Sequence, residues 1–329
     1  MEKVRFAALQ PEYIPASFLL NYLGGLKSLP DLNEAKAYME RQLKITLDLI
    51  ETAGSGGCDA ILTSEDITGL QAFALDTDNG EFFNSLAGCS AQICHKALSE
   101  AAIRHDTNII GCFGKREDSF NYNVAAFYDR KGRLVGEYRK THLPADEKWQ
   151  YSEGDRLEVF DLDIGRAGAL ICYDIMFPEP MRVLALKGAQ MVFHPTLGYG
   201  WRDQVGEATL MARAGENSVH LITAKNYSID STGRSSITDP WGIISAKAPG
   251  KPNTIALFEA DPSEGRLQPP WHVAVQTSGI RDVGKRMLLE RRPELYEALI
   301  MAKNDMLILP DDIEKRLILE RIREGRCHW

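Results

Sequence analysis

Three short segments of the 329-residue sequence carry side chains able to make and break covalent bonds. They are Thr63-Ser64-Glu65-Asp66, Tyr138-Arg139-Lys140-Thr141-His142 and Leu170-Ile171-Cys172-Tyr173-Asp174. Each sets a Glu, a Lys or a Cys at or just past the end of a run patterned as a β-strand. A thiol attacks only as its thiolate, so it needs a base to take its proton or a cation to lower its pKa. A carboxylate and an ammonium supply those two means, and an ammonium beside sulfur also stabilises the oxyanion formed when a carbonyl or nitrile is attacked. Each residue alone has an ordinary reading: a Cys in an apolar strand is commonly a small buried hydrophobe, a Lys after a hairpin is solvated, and a Glu after a strand caps a helix. Together they offer the residue types of a nucleophile, a base and a cation.

Other catalytic patterns lack their residues. The sequence has no G-x-S-x-G, no P-loop and no H-E-x-x-H. Its glycine cluster at 54–57 follows a helical pattern instead of a strand and reads as a helix end. The seven histidines are scattered, with no pair at metal-ligand spacing. Six cysteines in a chain of this length form neither a disulfide scaffold nor paired C-x-x-C motifs, so a reducing cytoplasm and no zinc site are expected.

The positioning elements are legible from periodicity. Apolar β-rich runs alternate with segments of helical period, the pattern of a layered α/β architecture. Residues 4–9 read as a buried strand, and residues 34–53 as an amphipathic helix with Leu43, Leu47 and Ile50 on one stripe and Gly54 as its stop. A strand at 59–63 then delivers Glu65 to a carboxyl edge, where ligands of α/β sheets gather. Strands at 108–113, 123–128 and 134–138, the last two joined by a turn at 129–133, deliver Lys140. Strands at 157–163 and 167–172 put Cys172 at a strand end, ahead of a helix opened by Pro178 and running to Leu186. A strand at 190–193, a helix at 204–217, a strand at 219–224, a late hairpin within 231–252 and a strand at 255–259 complete the rhythm. There is no internal repeat or low-complexity tract.

With 44% apolar and 26% charged residues the chain can bury a sizeable core. A net charge of -8 with interleaved signs argues against a nucleic-acid partner, which would want a basic stripe. The first residues lack the apolar core and cleavage pattern of a signal peptide, and no stretch approaches the roughly 18 apolar residues of a membrane span, so a soluble protein without a membrane partner is expected.

The three segments, in their order, resemble the catalytic Glu, Lys and Cys motifs of the nitrilase superfamily of carbon-nitrogen hydrolases, and the likeness runs from about Val4 to Glu259. A fourth segment, Leu143-Pro-Ala-Asp-Glu147-Lys-Trp, is similar to the family stretch whose second glutamate orients the lysine and substrate. Met211-Ala-Arg-Ala-Gly-Glu-Asn217 and Ala224-Lys-Asn226 resemble its later structural motifs. The resemblance implies a four-layer αββα sandwich, a homodimer or higher homo-oligomer, and no metal or organic cofactor. It also implies a mechanism in which Glu65 accepts the proton of Cys172, the thiolate attacks, and Lys140 with the backbone N–H of Tyr173 holds the oxyanion. Cys172-Tyr-Asp followed by Phe-Pro-Glu is closer to the amidase and carbamoylase branches than to the nitrilase branch, so a small-molecule amide or N-carbamoyl substrate is expected. A nitrile substrate, or a catalytically silent binding protein of the same fold, is the alternative.

Departures from the pattern bear on specificity. Ser64 replaces the usual proline before the glutamate, and His194-Pro195 stands at a pocket-edge position where Asn-Pro or Asn-Ser is commoner, which makes His194, with Tyr173, a candidate substrate-binding residue. Residues 12–33 form a longer link than usual between the first strand and first helix. The expected organisation is a hydrolase domain over 1–280 and a C-terminal helical extension over 281–329, broken at Pro293 and Pro310. Leu288, Leu289, Leu295, Leu299 and Ile300 give that extension apolar surface for assembly or for covering the site.

Overall fold

Along β1 (Val4–Gln10) successive side chains enter different cores: Phe6 and Ala8 join one buried cluster, Ala7 and Leu9 another. A strand buried on both faces needs a layer on each side, and the computed structural model, which describes residues 3–13, 30–73, 80–144, 147–198, 203–227 and 233–300, supplies them. The Ala7 side is covered by α1 (Leu32–Ser55) and, later in the chain, α2 (Gly80–His105), through Leu43, Leu49, Ile50, Cys94 and Leu98. The Phe6 side faces a second sheet.

β1 is joined in its sheet by β2 (Ala60–Leu62), β3 (Asn108–Glu117), β4 (Phe120–Tyr128) and β5 (Leu134–Arg139). The second sheet contains β6 (Val159–Leu162), β7 (Gly165–Ala169), β8 (Met191–Thr196), β9 (His220–Lys225), β10 (Ser236–Thr238) and β11 (Ile244–Lys247). The chain returns to the first sheet as β12 (Thr254–Ala260), which closes it in the order β12-β1-β2-β3-β4-β5; the second runs β11-β10-β9-β8-β7-β6. Both are mixed: β1, β2 and β3 are parallel, as are β7, β8 and β9, while the flanking pairs are antiparallel. Phe193 bridges the sheets, its ring centroid 6.1 Å from Phe127 and 6.5 Å from Phe6. On the far side, α3 (Pro178–Leu186) sets Leu184 against Gly168, and Leu210 and Ala214 of α4 (Asp203–Asn217) join the same core. The result is the expected αββα sandwich.

Several local details differ from the sequence reading. α1 continues through Gly54 to Ser55, with Gly56 as its cap. Gly54 is instead an interhelical contact: a Cβ there would lie 2.3 Å from Cγ of His105, so only hydrogen fits where α1 meets α2. α2 itself went unread in the sequence. Its buried residues Phe83, Leu86, Ala87, Ser90, Ala91, Cys94, Leu98, Ala101 and Ala102 keep helical spacing, but small Ala, Ser and Cys side chains give little hydropathy contrast. Finally, β7 ends at Ala169 instead of reaching Cys172, because Cys172 has φ of +47°, a left-handed conformation no strand contains.

β8 in turn extends past Phe193 through His194 and Pro195. β7 pairs with it only as far as Phe193, so Pro195 has a single neighbour, β9, and its missing N–H breaks no ladder on the open side. After β12 the chain forms α5 (Val273–Ser278) and α6 (Val283–Leu289), then short 3-10 turns at Pro293–Leu295 and Glu297–Leu299. Leu288 packs on the core, whereas Leu289, Leu295, Leu299 and Ile300 are exposed. Most of the 12–33 link, the break at Pro310 and Cys327 lie outside the described residues. Among those described, no helix is long and apolar enough to cross a membrane.

Candidate active site

Strand ends deliver the charged groups to one place. Thr63, directly after β2, donates its N–H to Ile110, and Glu65 follows two residues on. Lys140 is the first residue beyond β5 and donates its N–H to the Asn123 carbonyl of β4. Glu147 opens the 3-10 turn Glu147–Trp149. Glu65 and Lys140 are fully buried, and Glu147 is 7% exposed. The Lys140 Nζ lies 3.0 Å from Glu65 Oε1 and 2.6 and 2.8 Å from the two oxygens of Glu147. One ammonium thus serves two carboxylates with its three N–H donors, a charge-assisted cluster of the kind that offsets the cost of burying ions.

Burial alone would depress the Lys140 ammonium, but Glu147 first and Glu65 next hold it well above its ordinary value. Lys140 is therefore a permanent cation. Two further donors hold the Glu65 carboxylate, and a third reaches its main chain. Asn123 Nδ2 donates to Oε1 at 2.9 Å and the Leu197 N–H to Oε2 at 2.8 Å, while Asn226 Nδ2 reaches the Glu65 main-chain carbonyl at 3.3 Å. These contacts come from β4 and from the ends of β8 and β9, so both sheets fix one carboxylate.

Cys172 begins a five-residue 3-10 turn (Cys172–Met176) three positions past β7. Asp174, fully buried, ties this turn to the Lys140 segment. It accepts from Ile171 N–H at 2.8 Å, from the Tyr138 hydroxyl at 2.8 Å, and from His142 N–H and the Thr141 hydroxyl at 2.9 and 3.1 Å. Burial pushes the Cys172 thiol up to about 12; Glu65 adds to the rise and Lys140 opposes it. At neutral pH the resting sulfur is protonated, so a base must take its proton as it attacks. The Thr196 hydroxyl lies near enough to oppose the rise but makes no hydrogen bond of normal geometry.

The two further candidates have different surroundings. The Tyr173 side chain is 39% exposed and stands edge-on to Phe177 at 5.2 Å. His194 is fully buried, with Nε2 3.2 Å from the Cys172 carbonyl oxygen and Nδ1 3.3 Å from the Thr223 hydroxyl. It therefore lies behind the cysteine and not at an open edge. Its ring is pushed down to about 4 by burial, so it is neutral near pH 7.

Asn123, Asp174 and the Leu197 N–H were not singled out from the sequence. Asp174 and Asn226 stand inside quoted motifs, but Asn123 had only one weak signal, a polar residue at the head of an apolar strand. Among the described residues no cluster of three or more His, Cys, Asp or Glu is arranged to hold a metal.

A sequence profile described as Carbon-nitrogen hydrolase matches residues 35–269. A 2-oxoglutaramate amidase of Bacillus subtilis is 34% identical over 177 residues, covering 51% of this chain and 67% of that protein. An N-carbamoylputrescine amidase of Arabidopsis thaliana is 30% identical over 214 residues, covering 57% and 67%. Among solved structures, an amidase from Nesterenkonia sp. AN1 with acrylamide added at its active-site cysteine superimposes with a TM-score of 0.67 at 20% identity, over 90% of this chain and 100% of that one. At that identity the likeness speaks for the fold.

Proposed function

The chain belongs to the carbon-nitrogen hydrolase family, and from that premise we propose that it hydrolyses an amide or N-carbamoyl group of a small molecule through a thioester on Cys172. The observation that carries this reading is the buried Lys140 ammonium clamped between Glu65 and Glu147, with the Cys172 thiol within the field of all three. Glu65 takes the thiol proton as sulfur bonds to the carbonyl carbon, and Lys140 with the Tyr173 N–H holds the oxyanion. The tetrahedral intermediate collapses with C–N cleavage, and Glu65 returns the proton to the departing nitrogen, which leaves as ammonia. Water then gives a proton to Glu65 and adds to the thioester. The C–S bond breaks, the proton passes back to sulfur, and the acid is released.

The names of the relatives suggest where to look. Ammonia release from 2-oxoglutaramate, N-carbamoylputrescine, propionamide and propionitrile tests the reading directly. Turnover of an amide or carbamoyl compound in preference to the nitrile is the expected result. Release from the nitrile alone would move the chain to the nitrilase chemistry, and no release from any amide or carbamoyl compound would favour a silent member of the fold.

Glu147 has a different task from Glu65 in this scheme: it holds the ammonium in place without exchanging protons with substrate. Glu147→Gln keeps one acceptor oxygen and loses the charge. A fall in kcat of about tenfold to a hundredfold is expected, the equivalent of one charge-assisted hydrogen bond, with the covalent adduct on Cys172 still formed. Steady-state kinetics with mass spectrometry of the trapped protein checks both parts.

Exposed Leu289, Leu295, Leu299 and Ile300 support an extension that serves assembly of a homo-oligomer, and the free state of the five described cysteines supports a reducing, cytoplasmic setting.

A further inference from the structure

Both ring nitrogens of His194 are committed. The Cys172 carbonyl can only accept, so Nε2 carries the proton and donates to it at 3.2 Å. Nδ1 of the neutral ring is then an acceptor, and the Thr223 hydroxyl at 3.3 Å is its donor. His194 and Thr223 face each other in register on the parallel strands β8 and β9, so the tautomer is fixed by the sheet itself. The relay runs from Thr223 through His194 to the carbonyl of Cys172, inside a core where His194 is fully buried and Thr223 is 3% exposed.

That carbonyl belongs to the same peptide unit as the Tyr173 N–H. A trans peptide is planar, so holding its oxygen on one side sets the direction of its N–H on the other, and donation to the oxygen makes the N–H a stronger donor. The constraint matters because Cys172 is held at φ of +47°, a conformation that a non-glycine residue adopts at a cost and keeps only when its surroundings over-determine it. We propose that His194 is a positioning residue that aims the Tyr173 N–H at the oxyanion by gripping the Cys172 carbonyl from behind. The proposal rests on the functional reading above for the oxyanion itself, and it moves His194 from substrate contact to support of the nucleophile's backbone.

A reversible aldehyde adduct tests it without requiring turnover. Propanal adds to the Cys172 thiol, forming a C–S bond while the thiol proton moves to the former carbonyl oxygen, which occupies the oxyanion position. The propanal concentration that half-protects Cys172 from iodoacetamide, read by peptide mass spectrometry, measures how well that oxygen is held. His194→Leu should raise this concentration on the order of a hundredfold, the scale of one lost oxyanion donor, and lower kcat by a like factor while KM stays within about threefold. His194→Gln, whose amide N–H reaches the Nε2 position, should return to within about fivefold of wild type. Thr223→Val leaves the ring but frees its tautomer, and should shift propanal protection in the same direction by about threefold to tenfold; it decides the matter if His194→Leu does not fold.

Unchanged propanal protection in both variants, or a loss that His194→Gln does not restore, would overturn the proposal, as would a wild-type protein that forms no adduct. Absence of ammonia release from every amide and carbamoyl compound, with propanal protection still shifting as described, would instead count against the hydrolytic reading and leave the positioning role standing.

Discussion

Cys172→Ala will remove turnover on any amide that the wild-type protein hydrolyses, by roughly 10⁵-fold to 10⁶-fold, the scale reached when a covalent nucleophile is deleted. The fold should survive. Cys172 is only partly buried, and alanine accepts the same backbone conformation as cysteine, so the change in stability is about 1 kcal/mol. The measurement is paired: ammonia release, and the thermal midpoint of the same preparation. A Cys172→Ala protein with more than residual activity would show that another group attacks. Cys58, Cys94 and Cys112 offer no alternative of equal standing, since each is at most 3% exposed inside a core cluster, whereas Cys172 is only partly buried.

The second large effect is expected at Lys140, and it has two parts. Lys140→Met removes the donor to the oxyanion, costing about 10²-fold to 10³-fold in kcat. It also removes the ammonium that Glu65 and Glu147 share, both carboxylates being fully or nearly buried, a loss of about 3–5 kcal/mol in stability. The pH dependence of that loss has a definite sign. A buried carboxyl without a cation binds protons that the unfolded chain releases, so the folded variant holds more protons than its unfolded form above the ordinary carboxylate range. Stability then falls as pH rises, and the deficit against wild type should be larger at pH 8 than at pH 5. Denaturant unfolding at the two pH values checks this independently of activity. A constant deficit, or a near-native kcat, would assign the oxyanion contact elsewhere.

The two predictions separate nucleophile from clamp, and together with Glu147→Gln they rank the site by what each group exchanges with substrate. In the proposed scheme Cys172 forms a bond, Lys140 compensates charge, and Glu147 holds Lys140. Glu65 is bound on both oxygens by Lys140, Asn123 and the Leu197 N–H, which holds the carboxylate in one orientation.

Most of the architecture was legible in the amino-acid order. The buried strand at residues 4–9 reads as an apolar run broken only at Arg5, and Pro178 marked the start of α3 because its fixed φ and missing N–H suit the first turn of a helix. Glu65, Lys140 and Cys172 could be singled out because residue type and strand-end position are local properties, whereas Glu147 was reached only through the resemblance of its segment to a family motif. The long helix α2 escaped, since its buried face is built largely of Ala, Ser and Cys, which carry too little contrast to reveal a period.

What tertiary structure decided is which groups meet. The sequence separates Glu65 from Lys140 by 75 positions, and only the folding of β2 and β5 into one sheet, with β3 and β4 between them, brings Oε1 to 3.0 Å from Nζ. The same holds for Asn123, whose role depends on β4 lying beside β5, and for the Leu197 N–H, which reaches Glu65 across the two sheets over 132 positions. His194 makes the point most sharply. Its type and place in the chain suggested a pocket edge, whereas the register of β8 against β9 turned its ring inward onto Thr223 and the Cys172 carbonyl. Local order along a chain fixes periodicity and caps, because those depend on neighbours a few residues away. Hydrogen-bond partners inside a sandwich depend on strand order and register, which are set by burial over the whole chain.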